Sequence, residues 1–225
     1  MTFRRTLLLG SIIAGALAAA PAASAHEIGG ACQLDGVASL TPGLAANEPM
    51  PSASGIDWGP AFDYTFHGDL TDCGGVNAEE PSTDTTSGKI YAGETVTVAG
   101  TEYDWPAALG RPSGNGGCTG SHTVGTALVV WAGETASVID YSTDGVAAAI
   151  GLTGTFGNQA VILSSKAKNE DGTPVSTRTL VANVFAGQYA GGPLAFHPDD
   201  PTQCTGAGVT SSPITGVIGH GSYED

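Results

Sequence analysis

Apolar and polar residues alternate along most of this chain with the two-residue period of a β-strand, and the 3.6-residue period of a helix is not sustained anywhere after the leader. In AFDYTFHGDL, Phe62, Tyr64, Phe66 and Leu70 share one face while Asp63, Thr65, His67 and Asp69 share the other. This predicts a strand with one buried and one solvated side. The run TALVVW, Thr126 to Trp131, is apolar on both faces and predicts a central strand. Ala132 and Gly133 then offer a turn into TASVIDYS, and the two segments read as a hairpin. In GVAAAIGLTGTF the residues Val146, Ala148, Ile150, Leu152 and Phe156 fall in phase, and Gly151 and Gly154 disfavour an alanine-rich helix there. VILSS, STRTLVANVFAG and SPITGVIGH add further strands, with KNEDGTP as a turn between the first two.

With SGKIYAG, ETVTVAG and the segment from Leu34 to Leu40, the pattern predicts about nine or ten short strands bounded by Gly, Pro, Ser or Asn. The expected fold is all-β, a single immunoglobulin-like sandwich over residues 26–225. The 34 glycines show no three-residue period and are read as turns and bulges. Tyr103 to Gly117, rich in Gly, Pro and Asn, is read as a long loop within that domain. YAGETVTV at Tyr91 and WAGETASV at Trp131 share an aromatic, Ala-Gly-Glu-Thr and a closing valine, which reads as one hairpin design used twice.

The first 25 residues differ from the rest. Arg4 and Arg5 precede an apolar stretch from Leu7 to Ala20, then Pro21 and the small residues Ala23, Ser24 and Ala25. This is the pattern of a secretory signal peptide, too short to remain as a membrane anchor. Cleavage after Ala25 makes His26 the new amino terminus. The chain carries 22 acidic against 7 basic side chains, a net charge of −15. Removing the leader with its two arginines leaves −17. A charge of that sign repels phosphate, so nucleic-acid binding is excluded. A hydrophobic fraction of 41% against 13% charged residues excludes intrinsic disorder.

Cys32, Cys73, Cys118 and Cys204 all fall in the exported part, and an even number in an oxidising compartment predicts two disulfides. Their spacing contains no zinc-binding pair. Three pairings are open. Antiparallel pairing of CQLDGVASL with FDYTFHGDLTDC favours Cys32 with Cys73, which leaves Cys118 for Cys204.

Catalytic motifs are sparse. The chain has no Gly-x-Ser-x-Gly elbow, phosphate loop, dinucleotide fingerprint or calcium loop, and its carboxylates are too many for any pair to stand out. His220 and Ser222 in GHGSY read as a polar terminal segment. HPDDP, His197 to Pro201, reads as a turn framed by prolines, with an opportunistic calcium site as the alternative. The sharpest metal candidate is His26, whose amine and imidazole would chelate copper after cleavage if His67, His122, His197 or His220 completed the site. That placement resembles secreted copper oxygenases and periplasmic copper carriers at His26 alone.

CQLDGVASLTPGL, FDYTFHGDLTDC, SGKIYAGETVTVAGT and GCTGSHTVGTALVVWAGETASVIDYSTDG, followed by VAAAIGLTGTFGNQAVIL, resemble small secreted actinobacterial β-sandwich proteins of unassigned activity. The resemblance covers most of Cys32 to Leu163 and implies export and fold, with no catalytic residue. The expectation is therefore a secreted, non-catalytic structural or ligand-binding module that needs no cofactor. Its partner would be a cell-wall or extracellular ligand, with divalent cations bridging to any anionic polymer. A copper protein built on His26 is the alternative.

Overall fold

The computed structural model describes residues 27–46, 49–52, 55–75 and 85–222, so the signal segment and His26 lie outside the described residues. In the first half, the strands are β1 (Glu27–Leu44), β2 (Met50–Ser52), β3 (Gly55–Asp57), β4 (Ala61–Gly75), β5 (Gly88–Ala92), β6 (Val96–Val98), β7 (Thr101–Asp104) and β8 (Ser113–Gly117). There follow β9 (Gly120–Trp131), β10 (Ala136–Val146), β11 (Ala149–Phe156), β12 (Gln159–Ser165), β13 (Thr177–Ala182), β14 (Tyr189–Phe196) and β15 (Val209–Ser222). No α-helix occurs among the described residues, and no helix is long and apolar enough to cross a membrane.

The expected immunoglobulin-like sandwich is not what forms. The sheet closes on itself as an eight-stranded antiparallel barrel, with extra strands outside it. Around the wall the order is β1, β4, β5 with β8, β9, β10, β11, β14 and β15, which is the order of the chain. Closure comes from β1 and β15, paired from Glu27 opposite Ser222 to Leu44 opposite Val209. A sandwich and a closed barrel share the same period of two, because both bury alternate residues. Only this pairing of the first and last strands distinguishes them.

One wall position is shared. β5 pairs with Phe66–Leu70 of β4 and Leu128–Trp131 of β9, whereas β8 pairs with Ala61–Asp63 and Gly120–Val124 of the same two strands. Pro112, fully buried, sits at the join, and its carbonyl accepts from the Tyr64 amide at 3.3 Å. The segment expected to be a long loop, residues 103–117, therefore supplies part of the barrel wall.

GVAAAIGLTGTF also differs from its expectation as one strand. A turn at Ala147, with φ +52°, ends β10 at Val146 and lets β11 start at Ala149. The repeated Ala-Gly-Glu-Thr serves two purposes. At Trp131 it makes the β9–β10 hairpin, with Glu134 at φ +60°, while at Tyr91 it releases the chain from β5 into β6, with Gly93 at φ +73°.

The glycines are read as turns and bulges, yet several lie in regularly paired stretches of strand and face inward. A Cβ on Gly36 would come within 2.5 Å of the Phe66 ring, and one on Gly125 within 3.0 Å of the Tyr141 hydroxyl. Small residues beside large aromatics let the strands coil tightly enough to close the wall.

The barrel core gathers Leu34, Leu40, Ile90, Val129, Leu152, Leu194 and Ile218 with their neighbours. A second core lies outside the wall. Strands β6, β7, β12 and β13 cover the outward side chains Tyr91, Leu128, Val130 and Val138 with Val96, Val161, Leu163 and Leu180. TALVVW is apolar on both faces because Ala127, Val129 and Trp131 face the interior while Leu128 and Val130 face this outer layer. Elsewhere the outward positions are wet: Asp35, Asp63, Asp69, Asp140 and Asp144 are exposed. That is the reverse of a membrane-spanning barrel, whose outer band is apolar.

Candidate functional site

Each end of the barrel is closed differently. At one end the segment between β13 and β14 folds inward and places Phe185 over the opening. The Phe185 ring stacks on His220 at 3.9 Å between centroids and meets Trp131 and Phe156 edge-on at 5.7 and 5.5 Å. The Trp131 indole N–H donates to Ser137 Oγ at 2.9 Å, and that hydroxyl donates to the Val184 carbonyl at 2.9 Å, fixing the segment to the wall. His220 Nδ1 bonds Gln188 Oε1 at 2.8 Å, and burial pushes the imidazole below its ordinary range. Cys32–Cys73 joins neighbouring strands β1 and β4 near this end.

At the other end, Cys118 in the β8–β9 turn is bonded to Cys204 in the β14–β15 connection. Those two connections lie on opposite sides of the ring of strands, so the bond spans the mouth. The chain leaving β1 passes beneath it: Cys118 N–H donates to the Ala45 carbonyl at 2.9 Å, and Ala46 N–H donates to the Cys204 carbonyl at 2.5 Å. Asp200, of the HPDDP motif, caps the short 3-10 turn Pro201–Thr205 that carries Cys204. Its Oδ1 accepts from the Thr202 amide at 2.9 Å and hydroxyl at 2.6 Å, and these bonds lower its pKa.

Between the two closures lies a cavity of about 110 Å³ whose walls are almost all carbon, from residues such as Leu40, Phe66, Ala127, Ile139, Leu152 and Leu194. Its polar groups are hydroxyls. Tyr64 and Tyr141 meet oxygen to oxygen at 2.6 Å, Tyr64 donates to Thr123 Oγ1 at 3.3 Å, and Thr123 and Thr143 meet at 2.7 Å. This chain of four hydroxyls runs across the inward positions of β4, β9 and β10. Ser121 lines the same space nearer the mouth.

Tyr64 and Tyr141 are closely enclosed by protein yet retain some accessible surface; both line the cavity, and Tyr141 also borders a concavity on the outer wall. Desolvation raises both phenols, Tyr141 well above the ordinary range, so both are neutral at physiological pH. Ser121, Thr123, Thr143 and Ile150 are half-buried and mark the side on which the cavity approaches solvent. A wider concavity of about 400 Å³ on the outer wall, between Asp140, Thr153 and Tyr189, is open to solvent and encloses nothing.

The histidines proposed as second copper ligands are dispersed. His67 pairs with Glu94 at 2.7 Å on the outside of β4, and His122 pairs with Asp144 at 2.7 Å on the outside of β9. His220 lies under Phe185, and His197 follows β14. Among the described residues no three His, Cys, Asp or Glu side chains come together as a metal site.

Sequence reasoning placed Tyr64 on the inner face of its strand and overlooked Thr123, Tyr141 and Thr143 as partners. The available signal was their position in phase with Ala127, Val129 and Ile139, which marks them as inward polar groups. No known protein family, curated protein or solved structure matches the chain.

Proposed function

We propose that this protein acts outside the cell as a non-catalytic binder of a small molecule held inside the barrel. The observation that carries the reading is the apolar cavity of about 110 Å³ inside the barrel, whose few polar groups are hydroxyls that bond one another. Closed barrels of eight strands are either filled by side chains or hold one small ligand, and this one keeps space. Both tyrosines that line it are neutral and no carboxylate, histidine or lysine joins them, so the cavity offers no general base to activate a nucleophile. Two disulfides suit an oxidising exterior, in keeping with the leader sequence.

The space is somewhat smaller than the roughly 150 Å³ of an engineered apolar cavity that takes up benzene. Benzene is therefore a fitting probe. Titration of the disulfide-bonded protein, followed by NMR shifts of the cavity-lining residues, is expected to show saturable binding in wild type. Ala127→Leu or Ala38→Leu, which push carbon into the space, are expected to abolish it while the thermal transition stays cooperative. Absence of saturable binding to wild type would overturn the reading.

A further inference from the structure

The hydroxyl chain restricts what the cavity accepts. Tyr64 donates its hydrogen to Thr123, so the short contact between the phenols is made by the Tyr141 hydrogen. One hydrogen serves the Thr123–Thr143 contact, whichever threonine supplies it. Four hydroxyls carry four hydrogens and make three bonds with one another, which leaves one donor uncommitted on the threonine pair. All four residues line the cavity and are half-buried, and the uncommitted donor belongs to the threonines. Apart from the Ser121 hydroxyl nearer the mouth, the remaining surface is carbon, and none of it carries a charge to pair with an ion.

We propose that the occupant is a neutral, mostly hydrocarbon molecule of about six to eight non-hydrogen atoms, with one hydrogen-bonding oxygen seated against Thr123 and Thr143. Alcohols, phenols and small ketones have this chemistry. Carboxylates and ammonium ions do not, because burying an unpaired charge among carbon walls is far costlier than burying a hydroxyl that finds a partner. The two phenols reinforce the exclusion of cations, since burial keeps them protonated and they supply no negative charge. This inference rests on the binding function proposed above and adds the chemical class of the ligand.

The test compares benzene, phenol, cyclopentanecarboxylate and benzylammonium on the wild-type protein and on a variant carrying Tyr64→Phe, Tyr141→Phe, Thr123→Val and Thr143→Val. Replacing every member of the chain with an apolar group of like shape leaves no orphaned partner, so folding is expected to survive. In wild type, phenol is expected to bind at least as tightly as benzene, and the two ions at least about a hundredfold more weakly. In the variant, benzene binding is retained and serves as the check on folding, while phenol affinity falls about tenfold or more relative to benzene.

Benzene binding without phenol binding in wild type, or a phenol-to-benzene ratio unchanged in the variant, would overturn the ligand class and leave the cavity function standing. Cyclopentanecarboxylate or benzylammonium binding as tightly as phenol would overturn it as well. Failure of both neutral probes in wild type would remove the binding function itself. If the variant does not fold, the four ligands on wild type still decide the question.

Discussion

At the scale of single residues, the interior is set by what each inward position carries. His220 shows how a titratable group is used in packing. Its ring lies between Phe185 and the interior, its Nδ1 is bonded to Gln188, and the side chains around it include Cys32, Leu70, Trp131, Phe156 and Ile218, none of which titrates there. Burial lowers its pKa, so between the lowered value and the ordinary one near 6.5 the unfolded chain binds a proton that the folded chain refuses. Stability from this source is complete above the unfolded value and falls as pH drops through that window. Denaturant midpoints are therefore expected to decline on acidification below about pH 6.5, and His220→Gln is expected to flatten that part of the profile. A wild-type curve with the same slope as the variant's would show that the lowered pKa has no energetic consequence.

At the scale of elements, the two disulfides do different work. Cys32–Cys73 links adjacent strands across 41 residues of sequence, where the sheet already holds them together. Cys118–Cys204 closes 86 residues and spans the mouth over the chain leaving β1. Loop-closure entropy alone makes its removal worth about 4 to 5 kcal/mol. Cys118→Ala with Cys204→Ala is expected to lower unfolding free energy by an amount of that order in denaturant titrations. The same pair is expected to speed release of a bound probe in NMR exchange measurements, because the mouth loses its crosspiece. Release at the wild-type rate would mean that molecules pass by another route, such as the Phe185 end.

The elements also show where sequence reading succeeds. The inner and outer faces of β4 follow directly from Phe62, Tyr64, Phe66 and Leu70 against their polar neighbours, since a strand's period is local. β8 was missed because SGNGG contains almost nothing to bury. It is a strand only because β4 and β9 each leave a row of backbone groups open beside it, and those groups require partners. The outer layer was likewise hidden, and its one sequence trace is that Leu128 and Val130 are apolar on a face that alternation alone would make polar.

For the molecule as a whole, charge opposes compactness. The full chain has a net charge of −15, and exposed aspartates stud the outside of β1, β4 and, across the barrel, β10. Self-repulsion of this kind is screened within a Debye length of about 10 Å at 0.1 M salt. The thermal midpoint at neutral pH is expected to rise by several degrees between about 10 and 150 mM sodium chloride, as calorimetry would register. A midpoint that is flat or falls with salt would mean that the few exposed ion pairs, such as Lys89 with Asp69 and Lys168 with Asp104, outweigh the repulsion.

The sequence by itself determined most of the strand-forming segments, which side of β4 is buried, and the antiparallel neighbourhood of Cys32 and Cys73, because these depend on residues close together or on a strict alternation. It also placed Tyr64 inside. Tertiary structure alone decided that the sheet closes, since a sandwich and a barrel bury the same alternate residues and differ in whether β1 finds β15 across nearly the full length of the chain. Closure in turn decided that Tyr64, Thr123, Tyr141 and Thr143, drawn from three strands, meet in one hydroxyl chain, and that carbon walls around them enclose a space instead of filling it.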